Sequence, residues 1–203
     1  MDFFDIHTHH SATDTAIQSC HTADLPQGWC SLGIHPWYIE ADFSQQMERM
    51  YGEKLPENVV AIGEIGLDKN IQTPLSVQQS VLQEQIYIAE ERALPLVIHC
   101  VRAWDELLLA YKKSKKSVPW VIHGFRGKET LAAQLLRQGF YLSFGTYFQA
   151  AAVREAWSEK LFAETDETPP ISSVYEQLSA SLGLPLAVIA PQIRRNVRDV
   201  FGI

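Results

Sequence analysis

The chain has 203 residues, of which 46% are hydrophobic, 17 are basic and 24 are acidic, giving a formal net charge of -7. A chain of this length can bury one substantial core, so residues 1–203 are predicted to form a single domain, although a complete eight-fold βα barrel is typically longer. The acidic balance excludes an overall positive field, so DNA or another phosphodiester would have to be held by local cationic side chains.

The cysteines and the N-terminus indicate a cytoplasmic protein. Cys20, Cys30 and Cys100 form an odd set without CxxC spacing, which argues against a disulfide framework and against a thiolate zinc site. The first residues lack the basic region and apolar stretch of a signal peptide, and no run approaches the ~18 apolar residues of a membrane span. We therefore expect neither export nor membrane binding.

Eight short apolar runs follow one another along the chain and have the length of strands. They are Phe3–Ile6, Ala16–Cys20, Trp29–Ile34, Val59–Ile65, Leu96–Cys100, Trp120–Ile122, Phe140–Phe144 and Leu161–Ala163. Helical patterns cover Ser76–Arg92, Trp104–Lys113, Lys128–Gln138, Val174–Leu182 and Leu186–Phe201. This alternation predicts a parallel sheet in an α/β, TIM-like barrel. The connection at Cys20–Trp29 is too short for a crossover helix, so helices should be missing on the early side of the barrel.

Polar residues that can bind metals occur at the predicted strand ends, where parallel barrels build active sites. They are His7, His9, Glu64, His99, His123 and Asp166. Each has an ordinary alternative: a core or solvated histidine, a buried salt bridge at Glu64, or a helix cap at Asp166. Because all six terminate strands, the joint pattern favours a metal site over these alternatives.

Several motifs, taken in order, resemble those of the TatD family of deoxyribonuclease-like enzymes, which have an amidohydrolase-type metal site. The motifs are Asp5-Ile6-His7-Thr8-His9, Gly33-Ile34-His35-Pro36, Ala61-Ile62-Gly63-Glu64-Ile65-Gly66-Leu67-Asp68, Ile98-His99-Cys100, Ile122-His123-Gly124-Phe125, Glu164-Thr165-Asp166 and the terminal Asn196-Val197-Arg198-Asp199-Val200-Phe201. The resemblance covers nearly the whole chain.

The resemblance implies a dinuclear, metal-dependent hydrolase. His7, His9 and Asp166 would hold one divalent ion, His99 and His123 the other, and Glu64 would bridge the two. His35 would line the pocket. The ions would be zinc, magnesium or manganese, since histidine and carboxylate together accept all three. Two such ions suit phosphodiester hydrolysis, with Asp166 taking the proton of the attacking water.

Three basic residues, Lys69, Arg102 and Arg126, directly follow ligand-bearing strands and are candidates for gripping a phosphate or for shaping the pocket. Their alternative is ordinary surface charge. Arg126 stands where relatives usually carry a small residue. The segment Ser11–Gly28 is shorter than the family's usual first connection, which predicts a more open pocket or a covering subunit, and hence a homo-oligomer formed through the truncated side.

Three functions remain as alternatives. The first is a TatD-like 3'-5' DNA exonuclease. The second keeps the same metals but hydrolyses a small amide, lactone or phosphoester. The third is a non-catalytic, metal-stabilised binding protein.

Overall fold

The computed structural model describes residues 2–10, 14–168 and 170–203. Eight parallel strands lie side by side in chain order in one sheet. They are β1 Asp5–Thr8, β2 Ala16–Cys20, β3 Cys30–Leu32, β4 Val59–Asp68, β5 Leu96–Val101, β6 Trp120–Ile122, β7 Tyr141–Phe144 and β8 Leu161–Ala163. A bridge between Thr8 and Asp166 joins the two edges of the sheet, so the strands form a nearly closed, TIM-like barrel. The predicted strands and barrel are confirmed.

Helices cover the outside of the later strands. They are α1 Phe43–Tyr51, α2 Leu75–Arg92, α3 Trp104–Lys113, α4 Glu129–Gln138, α5 Ala150–Ala156, α6 Ile171–Leu182 and α7 Leu186–Phe201, with one 3-10 turn at Pro36–Tyr38. The predicted helices lie within a few residues of these bounds, whereas no bounds were predicted for α1 and α5. No helix in the described part of the chain is long and apolar enough to cross a membrane.

The early side of the barrel carries no crossover helix among the described residues. Strands β2 and β3 pair in parallel, with Cys20 opposite Leu32, although a loop of only nine residues (21–29) connects them. Between β1 and β2 the described residues form a turn, while residues 11–13 lie outside the description. The expected truncation is therefore confirmed. The connection that follows β2 contains no helix to cover the outer face of that strand.

Local sequence explains where the helices begin and end. Asp105 and Glu106 lie in the first turn of α3, and Lys112 and Lys113 in its last turn, so the charges match the helix dipole at both ends. Helix α4 ends at Gly139, whose φ of 108° is readily adopted only by glycine. This conformation turns the chain back toward β7.

The core fills the barrel and the space between barrel and helices. All ten residues of β4 are buried, which fits a strand covered on both faces. Gly66 in this strand has no room for a side chain, because an added Cβ would lie 1.9 Å from the carbonyl oxygen of His99. Gly63 is similarly close to Val97. Gly63 and Gly66 thus allow β5 to pack close to β4.

Candidate metal centre

All six residues predicted as metal ligands lie in the carboxyl-terminal halves of strands or after them, although Glu64 and His99 lie within their strands and do not terminate them as predicted. His7 belongs to β1 and His9 follows it, Glu64 lies in β4, His99 in β5, His123 follows β6 and Asp166 follows β8. Five of them, all except the completely buried His7, line a cavity of about 220 Å³ whose wall consists of His9, His21, His35, Trp37, Tyr38, Glu64, His99, His123, Asp166 and Glu167. The barrel thus brings together residues that are up to 159 positions apart.

Glu64 is the centre of the cluster, with only 3% of its surface exposed. Its Oε2 atom lies 3.5 Å from His7 Nε2 and 3.6 Å from His9 Nε2. Its Oε1 atom lies 2.9 Å from His99 Nδ1 and 2.7 Å from His123 Nε2. The two carboxylate oxygens therefore face two separate sets of imidazoles, which is the arrangement expected of a bridging ligand.

The surroundings of Glu64 keep it ionised. Burial alone would raise the pKa of this carboxyl, but His123, His35 and His7 together hold the pKa well below its usual value. Burial alone would likewise lower the pKa of His123, whereas Glu64 and Glu164 raise that pKa well above its usual value. No arginine or lysine pairs with Glu64 among the described residues, so the salt bridge considered as an alternative is not formed.

His99 is oriented by Asp68, a residue to which no role was predicted. The Nε2 atom of His99 lies 3.4 Å from Asp68 Oδ2, which also accepts the indole N–H of Trp37 at 2.8 Å. A carboxylate oxygen accepts hydrogen bonds, so His99 carries its proton on Nε2 and keeps the lone pair of Nδ1 for the cluster.

His123 is oriented in the same way by Glu164, which is completely buried. The Nδ1 atom of His123 lies 3.2 Å from Glu164 Oε1, and this oxygen also accepts the backbone N–H of Gly124 at 2.7 Å. In the neutral form of His123 that could bind a metal ion, the proton therefore belongs on Nδ1, which leaves the lone pair of Nε2 for the cluster. Glu164 was quoted in a motif, but no role was predicted for it.

His7, His9 and Asp166 form the other side of the site. Asp166 Oδ1 lies 3.5 Å from His9 Nε2 and 3.9 Å from His7 Nε2. The Asp166 backbone has a φ of 54°, a left-handed conformation that is costly for a residue other than glycine. Hydrogen bonds to both histidines' backbones hold it there, from Asp166 N to His7 O at 2.9 Å and from His9 N to Asp166 O at 3.1 Å.

His35 also contacts Glu64, but it faces the carboxylate with its protonated ring nitrogen. Its Nδ1 atom accepts the backbone N–H of Trp37 at 3.1 Å, so the proton of the neutral ring lies on Nε2. That Nε2 lies 3.3 Å from Glu64 Oε1 and can donate to it. His35 thus supports the carboxylate instead of offering a lone pair, which agrees with the predicted position in the pocket wall.

His21 is the one histidine of the cavity wall that sequence reasoning missed. It directly follows β2, and its ring centroid lies 5.6 Å from that of His9 and 5.8 Å from that of His35. Burial lowers the pKa of His21 to about 4, which keeps the ring neutral at neutral pH. Its position after a strand was the available signal, since the other candidates were recognised by that rule.

The three predicted cationic residues are placed differently. Lys69 forms an ion pair with Glu106 of α3 at 2.8 Å, so its charge is already matched. Arg102 and Arg126 line a groove of about 520 Å³ beside the cluster and are exposed. No described acidic side chain pairs with either arginine, and the Arg126 guanidinium lies 5.5 Å from the Tyr147 ring centroid.

The groove and the metal-ligand cavity share a wall. Trp37, His99, His123 and Asp166 line both spaces. Of the aromatic residues near the motifs, Trp37 is 59%, Tyr38 51% and Tyr147 66% exposed, whereas Phe125 is buried. Of these three exposed rings, Trp37 lines the groove, together with Arg102, Arg126 and Asp166.

The donor set fits divalent cations. Neither ring nitrogen of His7 has a hydrogen-bond partner, although the side chain is completely buried. The nitrogens His99 Nδ1 and His123 Nε2 lie 3.3 Å apart and both face Glu64 Oε1, an arrangement that a cation bound between them would stabilise. Ligand atoms of His7, His9 and Asp166, and of His7, Glu64 and His123, lie within 4.8 Å of one another. Mixed imidazole and carboxylate ligands suit zinc and manganese.

Known proteins are similar to this chain in sequence and in fold. A family model described as TatD related DNase matches residues 3–202. The metal-dependent hydrolase YjjV of Escherichia coli is 32% identical over 148 residues, covering 68% of this chain and 57% of the relative. The 3'-5' ssDNA/RNA exonuclease TatD of Klebsiella pneumoniae is 30% identical over 204 residues, covering 86% of this chain and 77% of the relative. The crystal structure of E. coli YjjV superposes with a TM-score of 0.84 at 23% identity and covers 100% of this chain and 98% of that one.

Proposed function

Since the chain belongs to the TatD related DNase family, we propose that it is a dinuclear metal-dependent hydrolase that trims single-stranded nucleic acid from the 3' end. The observation that carries this proposal is the placement of Glu64, whose two carboxylate oxygens each face a different pair of histidines. The polarity and the substrate are carried over from the relative named as a 3'-5' ssDNA/RNA exonuclease.

The residues divide into two ligand sets around Glu64. His7, His9 and Asp166 would hold one divalent ion, and His99 and His123 the other. Divalent ions bound there would supply an activated water and stabilise the negative charge that grows on the phosphoryl oxygens. Asp68 and Glu164 fix the protons of His99 and His123 on the nitrogens that face away from Glu64.

Asp166 is the proposed general base. Its side chain is 30% exposed, in contrast to 4% for Glu64, and it lines both the metal-ligand cavity and the groove. A carboxylate at this junction can accept a proton from a water that attacks a phosphate in the groove. Glu64 is too enclosed by histidines to perform that task.

The groove is the proposed binding site for the nucleic acid. Arg102 and Arg126 can pair with backbone phosphates, and Trp37 can stack on a base at the rim. These contacts are local, which accommodates a formal net charge of -7. Lys69 would contribute only after leaving Glu106, so its role in binding phosphate is the weakest part of the predicted set.

The test is the digestion of a 5'-labelled single-stranded oligonucleotide by chelator-stripped protein with added magnesium, manganese or zinc. We expect a ladder of shortened 5'-labelled products that requires the metal. Asp166→Asn should abolish the ladder while leaving the circular dichroism spectrum unchanged. A ladder of equal intensity from Asp166→Asn would remove Asp166 from the mechanism.

One observation favours a second candidate, hydrolysis of a small phosphoester. Lys69 is paired with Glu106, so only the two arginines of the predicted cationic set have no acidic partner among the described residues. A panel of chromogenic phosphoesters, lactones and amides tests this alternative. Metal-dependent turnover on a small phosphoester without any oligonucleotide ladder would favour it.

A further inference from the structure

His21 lies in the metal-ligand cavity on the side of His9, although it belongs to none of the motifs considered above. It is the first residue after β2, in the shortened early segment of the barrel. Ligand atoms of His21, His9 and Glu64 all lie within 4.8 Å of one another. The ring is therefore close enough to share a cation with residues that already belong to the site.

The hydrogen bond of His21 determines which ring nitrogen is available. Its Nδ1 atom lies 3.4 Å from the backbone carbonyl oxygen of Gly33. A carbonyl oxygen can only accept, so Nδ1 carries the proton and Nε2 keeps its lone pair. His35 has the opposite arrangement, because its Nδ1 accepts the Trp37 N–H and its Nε2 must donate. Of these two neighbouring histidines, His21 is the one that can coordinate a metal.

We propose that His21 is an additional metal ligand on the side of the site formed by His7, His9 and Asp166. This inference rests on the proposed function, since it assumes that the cluster binds divalent ions. A third imidazole on this side changes the balance of donors, because imidazole suits zinc-class ions and carboxylate suits magnesium. His21 should therefore make the site selective for zinc over magnesium.

The experiment measures zinc and magnesium affinity in chelator-stripped protein, together with the visible absorption of the cobalt-loaded form. His21→Gln should weaken zinc binding about 10- to 100-fold, by comparison with losses seen when residues supporting metal ligands are changed. Magnesium affinity should change by less than about 2-fold, because water readily replaces imidazole around that ion. The cobalt spectrum should change, since it reports directly on the ligand set.

A matched control is His10→Gln. His10 is also a histidine near β1, but it is exposed and its Nε2 lies 3.3 Å from the Glu167 carbonyl oxygen. This variant should retain the zinc affinity and the cobalt spectrum of the unmodified protein. His21→Asp provides a second variant, because a carboxylate there restores a ligand and should lower the ratio of zinc to magnesium affinity.

The outcomes separate this inference from the proposed function. Two tightly bound zinc ions in the unmodified protein, with unchanged affinity and cobalt spectrum in His21→Gln, would overturn the role of His21 and leave the proposed function intact. A protein that binds neither zinc nor cobalt would overturn both. If His21→Gln does not fold, His21→Asp provides the test. An unchanged ratio of zinc affinity to magnesium affinity in His21→Asp would also overturn the inference.

Discussion

The protonation of individual histidines determines what each can do in the cluster. His99 and His123 are each held from behind by a carboxylate, Asp68 and Glu164 respectively. Such outer partners fix the orientation of a metal-binding imidazole and increase its basicity. The second of these carboxylates is particularly constrained, because it is completely buried and also accepts the Gly124 N–H.

Glu164→Gln should therefore weaken zinc binding about 10- to 100-fold while the protein still folds. The glutamine amide oxygen can still accept one hydrogen bond, from the Gly124 N–H or from His123 Nδ1. Its NH2 group, however, can face His123 Nδ1, which needs an acceptor. Isothermal titration with zinc measures the effect, and Glu159→Gln serves as a control outside the site. Equal zinc affinity in Glu164→Gln and the unmodified protein would mean that His123 is held by packing alone.

The sequence indicated the candidate metal ligands more readily than the residues that orient them. The six candidates lie in or after predicted strands, in the order of the family motifs, and the structure brings them together around Glu64. Whether they bind metal stays a prediction. Asp68 and Glu164 were passed over because their function depends on which ring nitrogen they face, and only tertiary contacts carry that information. His21 was passed over because it lies outside the motifs, although its position directly after a predicted strand was visible in the sequence.

The helices and strands were predicted well where burial requires apolar residues in the sequence. Strands β4 and β5 begin with apolar runs, Val59–Ile62 and Leu96–Ile98, which are buried between the helices and the barrel core. Helix α1 was missed because its sequence, Phe43–Tyr51, follows a short turn and is rich in glutamine, with Gln46 itself buried. Helix α5 has only seven residues, too few to display a helical period.

The pairing of β4 with β5 depends on Gly66, which makes a substitution there informative. Gly66→Ala should destabilise the protein by about 3 kcal/mol or prevent folding, because the new Cβ would overlap the His99 backbone. Urea denaturation measures the loss. Gly145→Ala is the control, since its Cβ would meet nothing closer than 3.7 Å. Equal stability of the two variants would contradict the close approach of the strands.

Tyr175 of α6 anchors the start of β1, the strand that carries His7. Its hydroxyl donates to the Phe4 carbonyl at 2.9 Å and accepts the Phe4 N–H at 3.1 Å. Tyr175→Phe leaves both buried backbone groups unpaired and should cost about 1 to 3 kcal/mol in free energy of unfolding. Tyr147→Phe, at an exposed position, should cost almost nothing in the same urea titration.

The same residue gives a pH dependence. Burial raises the pKa of Tyr175 above the value of the unfolded chain, so its contribution to stability is complete below about pH 10 and is lost as the pH rises further. The unmodified protein should therefore lose stability above about pH 10 faster than Tyr175→Phe does. Parallel alkaline slopes in urea titrations of the two proteins would contradict this assignment.

At the scale of the whole molecule, metal binding should stabilise the barrel as a unit. The ligands come from β1, β4, β5, β6 and the segment after β8, which closes the barrel against β1. Zinc at 100 times its dissociation constant should add about 2.7 kcal/mol per site to the free energy of unfolding. Thermal scans with and without zinc measure this, and Glu64→Gln should reduce the shift strongly. A Tm that does not change when zinc is added would contradict zinc binding to the folded state.

The truncated early side leaves one sequence prediction open, namely a homo-oligomer formed through that side. None of the exposed large hydrophobic side chains in the described part of the chain lies on β2 or β3. Three of them, Trp37, Tyr38 and Tyr147, lie near the groove and the cavity. Light scattering after size exclusion decides the oligomeric state. A monomer would mean that the open side simply faces solvent.

The cluster around Glu64 is proposed to hold two divalent ions. The most direct measurement is anomalous diffraction at the zinc edge from crystals grown with zinc. We predict two anomalous peaks, one beside each Glu64 carboxylate oxygen, with His7, His9 and Asp166 around the first and His99 and His123 around the second. An empty cavity, or zinc bound only at sites remote from Glu64, would contradict the account.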